Sequence, residues 1–300
     1  MTRTRLGRLV GGPVGATALV VIGLACQEVG ASIAVLLFPT AGPIGMVTLR
    51  LGFSAIVLLL LARPRLRGHG ASAWGTVAAF GLALALMNAL FYLSIERIPL
   101  GAAVTIEVLG PLALSVATNR RWSAVVWAGL AAAGVLLLGQ GSFGHLDPVG
   151  VVLAAGAGAT WAAYILLSAR TGRSFAGLDG LAIAMAIGAL AMLPFGVWTT
   201  GAVLIRPDVL ALGLAVALLS STIPYALELI ALRRLPASTF AILMSLAPAM
   251  AAVAGLILLG QSFTWVGALA VALVIAASIG AVLTAARGGR SGGASATASP

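Results

Sequence analysis

Long stretches without a charged residue alternate along the chain with short segments that carry arginine. The uncharged stretches are residues 9–27, 29–49, 68–95, 122–146, 148–169, 180–205 and 235–286. Since about 20 apolar residues cross the hydrocarbon core of a bilayer as a helix, each stretch predicts at least one membrane span. The last stretch has about the length of two spans, and Gly260-Gln261-Ser262 supplies the turn that divides it.

This pattern predicts an all-α integral membrane protein with ten transmembrane helices. We place the helices near residues 14–38, 43–62, 73–95, 100–118, 123–139, 149–168, 178–200, 209–230, 237–258 and 263–285.

The arginines predict which way these spans face, because cytoplasmic loops are enriched in basic residues. Of the 17 basic residues, all arginine, 14 fall on alternate segments. They are Arg3, Arg5, Arg8, Arg63, Arg65, Arg67, Arg120, Arg121, Arg170, Arg173, Arg233, Arg234, Arg287 and Arg290. Arg97 and Arg206 fall on the other side, and Arg50 lies within a span. We therefore expect a multi-pass protein of the inner (cytoplasmic) membrane with both termini in the cytoplasm.

Composition excludes most other classes of protein. A chain that is 61% hydrophobic and 8% charged is far more apolar than a soluble domain. The net charge of +10 therefore reflects topology, and the expected partner is the lipid bilayer rather than a nucleic acid. The chain has no lysine for a phosphate-binding P-loop. Its two histidines and single cysteine do not suggest a metal site, and its scattered acids do not suggest an enzyme, so we expect no enzymatic activity, cofactor or metal.

An internal repeat relates the two halves of the chain. Arg97-Ile98-Pro99 recurs as Arg234-Leu235-Pro236, and Pro111 recurs as Pro248, each at an offset of 137 residues. Because five spans is an odd number, the two copies must have opposite orientations in the membrane. Two inverted five-helix repeats are the plan of many secondary transporters, in which broken helices flank a substrate site. Pro111 and Pro248 are candidates for such breaks; the alternative is that both merely kink packed helices.

The repeat divides the chain into five segments. We predict a cytoplasmic N-terminal segment at 1–13, a first repeat of five spans at 14–139 and an outer linker at 140–148. A second repeat of five spans follows at 149–285, and a disordered cytoplasmic tail at 286–300. The tail is predicted to be disordered because it is polar and of low complexity.

Four stretches carry a resemblance to a known family. They are residues 48–51 (TLRL), 87–95 (MNALFYLSI), 104–113 (VTIEVLGPLA) and 224–236 (PYALELIALRRLP). The chain resembles the ten-span drug/metabolite transporter superfamily with two EamA-type repeats, and within it the bacterial threonine and homoserine exporters. The resemblance implies an exporter of small amino acids or related metabolites that is driven by an ion gradient without ATP. The chain departs from this pattern at Ala247-Pro248, where Glu-Pro is expected, and at Gly260-Gln261, where Gly-Glu is expected.

Four polar residues in the first half fall at similar depths. Counted along their helices, Arg50, Glu107 and Asn88 lie roughly 10 Å from the outer end of a span and Glu28 roughly 15 Å. An intramembrane charge is costly and usually functional. Arg50 offers a forked donor for a carboxylate, while Glu28 or Glu107 can hold an ammonium group, so this layer suits a zwitterionic small-molecule substrate.

A carboxyl group in such a layer can bind either a proton or a substrate amine. That competition is a simple basis for proton antiport, and we predict Glu107 as the first candidate for proton coupling and Glu28 as the second. The alternative is that Arg50 forms a fixed structural bridge with one of the two acids. Removing Arg50 distinguishes these interpretations. Loss of a structural bridge should impair folding, whereas loss of a binding residue should impair only transport.

Other polar side chains are candidates for lining the cavity. They are Tyr92, Trp161, Tyr164 and Tyr225, together with Asn88. Tyrosine and tryptophan near the ends of spans are also common interfacial anchors, and Trp122, Trp198 and Trp265 fit that role best.

The sequence leaves several functions open. The same architecture serves exporters of other metabolites or amphipathic drugs, and a passive channel or scramblase would differ by gradient-independent, unsaturable flux. The exact substrate, the coupling ion and the oligomeric state, a homodimer included, are not fixed by the sequence.

Overall fold

A computed structural model describes residues 13–118, 122–139, 146–232, 243–262 and 264–294. The helices of the first part of the chain are α1 (Pro13–Ala62), α2 (Ala71–Ile95), α3 (Leu100–Glu107), α4 (Leu109–Thr118) and α5 (Trp122–Gly139). Those of the second part are α6 (Pro148–Thr171), α7 (Asp179–Thr200), α8 (Pro207–Ala217), α9 (Ile223–Leu232), α10 (Ala247–Leu259) and α11 (Trp265–Ala294). A short 3-10 helix, Gly201–Ile205, precedes α8, and a π turn, Leu218–Thr222, joins α8 to α9.

Helix α1 is divided by a sharp kink at Gly42. The backbone there has φ 65° and ψ 164°, a conformation that is favourable only for glycine. Pro39 and Pro43 flank the kink, and Pro43 removes a helical hydrogen bond and restricts the residue before it. The kink separates an arm over residues 13–41 from an arm over residues 43–62, which agrees with the predicted break between 38 and 43.

Two other helices are interrupted near prolines. The interruption between α3 and α4 falls at Val108, where Pro111 has no N–H to donate to the carbonyl of Glu107. Before α10, the turn at Ser245 and Leu246 follows the short helical stretch 243–244, and Pro248 lies in the first turn of α10. Val108 and Ser245 are separated by the same 137 residues as the two prolines.

Small residues bring the central helices close together. Helix α2 packs against α6 and α7, and α1 packs against α7, α8, α9 and the π turn. At Gly81 of α2, an added Cβ would lie only 2.5 Å from the carbonyl oxygen of Ala184 on α7. Close backbone approach of this kind is typical of helices packed within a membrane. A second, smaller core joins α4, α5 and α11 through Leu112, Ala131 and Ala277.

Five of the described helical segments are long and apolar enough to cross a membrane. They are Gly15–Ala62, Ala71–Ile95, Pro148–Thr171, Asp179–Ile205 and Pro207–Tyr225. The first has 48 residues, about twice the length of one span, and the kink at Gly42 divides it. Shorter apolar helices are Leu100–Leu114, Val125–Leu137, Ala247–Leu259 and Trp265–Gly280. Trp122, Trp198 and Trp265 are strongly exposed at helix ends, and their role as interfacial anchors stays a prediction.

The C-terminal helix is longer than the sequence predicts. We expect disorder from residue 286, whereas α11 continues to Ala294. Extending an existing helix avoids the cost of nucleation, so glycine-rich residues after a span can continue it. Several predicted features lie outside the described residues: the N-terminal segment up to residue 12, linker residues 140–145, the repeated Arg234-Leu235-Pro236 and tail residues 295–300.

Candidate functional site

The centre of the site is the buried guanidinium of Arg50. This residue lies on arm 43–62 of α1 with only 6% of its surface exposed. Its Nε donates to Ser221 Oγ at 2.9 Å, its Nη2 to the carbonyl oxygen of Ser220 at 2.8 Å, and its Nη1 to the hydroxyl of Tyr92 at 3.2 Å. Its Cζ lies 5.4 Å from the centroid of the Tyr92 ring, within cation–π range. Arg50 therefore joins α1 to α2 and to the π turn.

The π turn owes its free carbonyl to a proline. In a regular helix the N–H four residues later would donate to the carbonyl of Ser220, but that residue is Pro224. The chain instead forms a π-type bond from the N–H of Ile223 to the carbonyl of Leu218, and the Ser220 carbonyl accepts from Arg50. Sequence reasoning missed the serines of this turn. The available signal was Ser220-Ser221-Thr222 within an apolar stretch, with a proline four residues after Ser220.

Two acidic side chains lie near Arg50 without pairing with it. Glu28, on arm 13–41 of α1, is 3% exposed, and its Oε2 has no hydrogen-bond partner among the described residues. Glu107 is partly exposed at the end of α3. Glu28 interacts electrostatically with Glu107 and Arg50, and Glu107 with Arg50. Within the described ranges, Arg50 forms no salt bridge to either acid.

The interruption after Glu107 packs tightly against α6. An added Cβ at Gly158 would lie 2.5 Å from the carbonyl oxygen of Glu107, and one at Gly110 would overlap the carbonyl of Gly158. Glycine at both positions therefore lets the backbone of α6 reach the interrupted helix. This contact fixes the end of α3, where Glu107 lies.

Two more of the predicted site residues lie on helices that contact Arg50 or its partners. Tyr225, partly buried in α9, interacts electrostatically with Arg50. Asn88 is buried one turn before Tyr92 on α2, and its Nδ2 donates to the carbonyl of Leu84 at 2.8 Å. The amide of Asn88 is thus engaged by its own helix.

The two aromatic candidates on α6 occupy different places. Trp161 is partly buried about one turn after Gly158. Tyr164 packs against Phe80, with ring centroids 5.1 Å apart. Phe80 lies twelve residues before Tyr92 on α2, roughly 18 Å along the helix. The structure therefore places Tyr164 well away from Arg50.

The turn at Gly260-Gln261 connects to the start of α3. Gly260 ends α10 in the left-handed conformation, with φ 61°. The Oε1 of Gln261 accepts from the N–H of Leu100 at 3.1 Å, and thus satisfies one of the free donors at the beginning of a helix. Gln261 replaces the glutamate expected from the family pattern, and its neutral amide still provides the acceptor.

Surface charges are paired differently from Arg50. Arg97 Nη1 contacts Asp147 Oδ2 at 3.1 Å, and Arg206 Nη2 contacts Asp208 Oδ2 at 2.7 Å. The N–H of Val149 donates to Asp147, which lowers the pKa of that carboxyl, and Arg97 lowers it further. Within the described part of the chain, no three histidine, cysteine, aspartate or glutamate side chains come together as a metal site would require.

A bundle of long apolar helices around a buried arginine and two acids defines a multi-pass membrane transporter. The model of the EamA-like transporter family matches residues 148–283. The chain is 43% identical over 269 residues to the threonine/homoserine exporter RhtA of Escherichia coli K12, covering 89% of this chain and 90% of that one. The same exporter of Salmonella typhimurium LT2 is 42% identical over the same shares of the two chains. The chain belongs to the EamA-like transporter family.

A solved crystal structure has the same fold. It superposes with a TM-score of 0.60 at 20% sequence identity, over 90% of this chain and 98% of the other. At that identity the similarity concerns the fold alone.

Proposed function

We propose that this protein is a secondary-active exporter of small amino acids resembling threonine and homoserine, and that it exchanges them for protons. This chain aligns with 90% of the length of the relatives named threonine/homoserine exporter. That coverage supports the proposed substrate class. We further propose ten spans, arranged as two inverted five-helix repeats with both termini in the cytoplasm of the inner membrane. Alternating access would then expose the site around Arg50 to each side in turn.

The observation that carries the proposal is the set of partners of Arg50. A guanidinium has five N–H donors, and three of them are directed to Ser221, Ser220 and Tyr92. Among the described residues, one N–H on each of Nη1 and Nη2 has no acceptor. Two such groups on a guanidinium suit the two oxygens of a carboxylate. All three partners are neutral, so the positive charge stays available to a substrate.

The two acids complete a site for a zwitterion. Glu28 has a carboxylate oxygen without a hydrogen-bond partner among the described residues, and it interacts electrostatically with Arg50. It therefore suits the ammonium group of an amino acid. Glu107 is partly exposed beside an interrupted helix, where it can exchange a proton with water. Protonation of Glu107 on one side of the membrane and release on the other would couple substrate export to proton entry.

The test is transport in proteoliposomes loaded with labelled threonine or homoserine. We expect saturable efflux that is stimulated when the outside is made acidic. Glu107→Gln is expected to retain threonine–threonine exchange and to lose the stimulation by the pH gradient. Met244→Gln is the matched control, because Met244 lies 137 residues after Glu107 at the corresponding place in the second half.

Each contrary outcome identifies a different error. Full gradient stimulation in Glu107→Gln would remove that residue from proton coupling and leave Glu28 as the next candidate. If a folded protein moves neither amino acid, the substrate class is wrong and other metabolites or amphipathic drugs should be screened. Unsaturable flux that ignores the gradient would indicate a passive channel.

A further inference from the structure

We propose that the π turn Leu218–Thr222 positions Arg50 for the substrate carboxylate, with Ser221 as the positioning residue. This inference rests on the proposed function, in which Arg50 binds the carboxylate. Ser221, a neutral residue in the second half of the chain, acts by positioning Arg50 and does not itself contact the substrate.

The π turn holds one whole edge of the guanidinium. Nε and Nη2 form that edge, and they donate to two consecutive residues of the turn, Ser221 through its Oγ and Ser220 through its carbonyl. Two parallel hydrogen bonds fix both the position and the plane of the group. An arginine side chain has considerable rotamer freedom, so this edge contact removes much of the entropy that carboxylate binding would otherwise lose. The N–H groups left on Nη1 and Nη2 then have a set direction.

The same turn also contacts both arms of α1. Ser54, one turn after Arg50 on arm 43–62, donates to the carbonyl of Ala217 at 3.3 Å. On arm 13–41, an added Cβ at Gly30 would overlap the Oγ of Ser220. The arms meet at the Gly42 kink and carry Arg50 and Glu28. By packing on both arms, the π turn fixes the relation between the groups proposed to bind the carboxylate and the ammonium ends of one substrate.

Ser221 should influence substrate recognition through Arg50, in addition to its effect on protein stability. It is 1% exposed, and its hydroxyl accepts from a charged donor, which makes a stronger hydrogen bond than a neutral pair. Ser94 is a matched control: it is 0% exposed and its Oγ donates to the carbonyl of Gly150 at 2.9 Å. Within the part of the chain that the structure describes, each serine makes one buried interhelical hydrogen bond, and the partner of Ser221 is Arg50.

The experiment measures threonine transport by Ser221→Ala, Ser221→Thr and Ser94→Ala in proteoliposomes, with threonine and its amino alcohol as competitors. The amino alcohol lacks the carboxylate. We expect Ser221→Ala to raise the KM for threonine about tenfold, to change the maximal rate less than twofold, and to weaken the preference for the acid over the alcohol. Ser221→Thr keeps the hydroxyl and should restore the preference. Ser94→Ala should leave both the KM and the preference unchanged.

An Arg50→Lys background tests whether Ser221 acts through Arg50. If it does, Ser221→Ala should add less than twofold to the effect of Arg50→Lys, because residues in one network are not additive. Ser221→Cys, which keeps the size of the side chain, replaces Ser221→Ala if the latter does not yield folded protein.

Two outcomes overturn the inference and a third overturns its premise. The inference is wrong if Ser221→Ala behaves like Ser94→Ala, or if Ser221→Thr fails to restore the preference for the acid. If Arg50→Lys itself leaves that preference intact, Arg50 does not bind the carboxylate and the proposed function loses its substrate contact. In either of the first two outcomes, loss of the preference in Arg50→Lys would show that only the positioning role fails and that the proposed substrate contact stands.

Discussion

The buried arginine of this protein has neutral partners, whereas two arginines at its surface have acidic ones. Arg97 and Arg206 are about half exposed and contact Asp147 and Asp208. Arg50 is buried and donates to a tyrosine hydroxyl, a serine hydroxyl and a backbone carbonyl. A solvated surface pair gains little free energy, and a buried charge without a counter-ion is costly. Stability alone would place the carboxylate partners the other way round.

The difference supports the proposed role of Arg50 in binding a substrate carboxylate. Three neutral acceptors satisfy the directional needs of the guanidinium and leave its charge uncancelled. The acids near Arg50 interact with it over a distance but form no salt bridge to it within the described residues. A cation held in this way attracts an anionic ligand and does not first have to break an internal ion pair.

The largest effect is expected when the forked donor is removed. Arg50→Lys keeps a positive charge but loses the planar pair of N–H groups. Loss of charged hydrogen bonds worth about 2–3 kcal/mol should reduce the transport efficiency kcat/KM for threonine by about 30- to 150-fold. Transport assays measure the loss of function, and the melting temperature of the same preparation in detergent measures any loss of stability separately.

The surface provides the control for this substitution. Arg97→Ala removes an exposed arginine from its pair with Asp147 and should change transport less than about twofold. A large loss of melting temperature in Arg50→Lys, with transport of the remaining folded protein unchanged, would instead make Arg50 a structural residue.

The charged residues of the candidate site were predicted from the sequence, and its neutral residues were not. Arg50, Glu28 and Glu107 stand out because each is a charge in an apolar stretch, and the structure places them within electrostatic reach of one another. Ser220 and Ser221 give only a weak local signal, a short polar triplet just before Pro224. Their importance depends on α8 and α9 packing against α1, which local sequence patterns do not encode.

The helix interruptions were also predicted in part from the sequence. Pro111 and Pro248 predict breaks because a proline lacks an N–H, and the structure has a turn within three residues of each. The aromatic candidates on α6 were harder to separate. Trp161 and Tyr164 are three residues apart, and only tertiary packing, here the contact of Tyr164 with Phe80, tells which of them is distant from Arg50.

An intermediate effect is expected where α6 meets the interrupted helix. In Gly158→Ala the new methyl group would lie 2.5 Å from the carbonyl oxygen of Glu107, so the backbone must move. Overpacking of this kind costs about 1–3 kcal/mol and should lower both the melting temperature and the stimulation of transport by a pH gradient. Thermal unfolding in detergent and proteoliposome efflux are the measurements.

Gly129→Ala is the matched control for this substitution. Nothing lies within 4 Å of a Cβ added at Gly129, and alanine favours a helix over glycine, so its stability should be unchanged or slightly higher. If Gly158→Ala is equally neutral, α6 can move away from α3 without cost, and the position of Glu107 does not depend on that contact.

The smallest change in stability is expected at the surface pair of Arg97 and Asp147, and this change should depend on pH. Asp147 caps α6 by accepting from Val149 and contacts Arg97, and its pKa is lowered in the folded protein. A lowered pKa contributes stability above the ordinary aspartate value of about 3.9 and loses it as the pH falls through the folded-state pKa. Asp147→Asn keeps an effective helix cap and removes only the charge. Its melting temperature should therefore fall slightly below that of the wild type near neutral pH. The two melting temperatures should converge in acid, and also at high salt, since exposed charges are screened.

A difference in melting temperature that persists in acid and at high salt would mean that Asp147 acts through its hydrogen bonds alone. The surface pair would then differ from Arg50 in burial rather than in its use of charge.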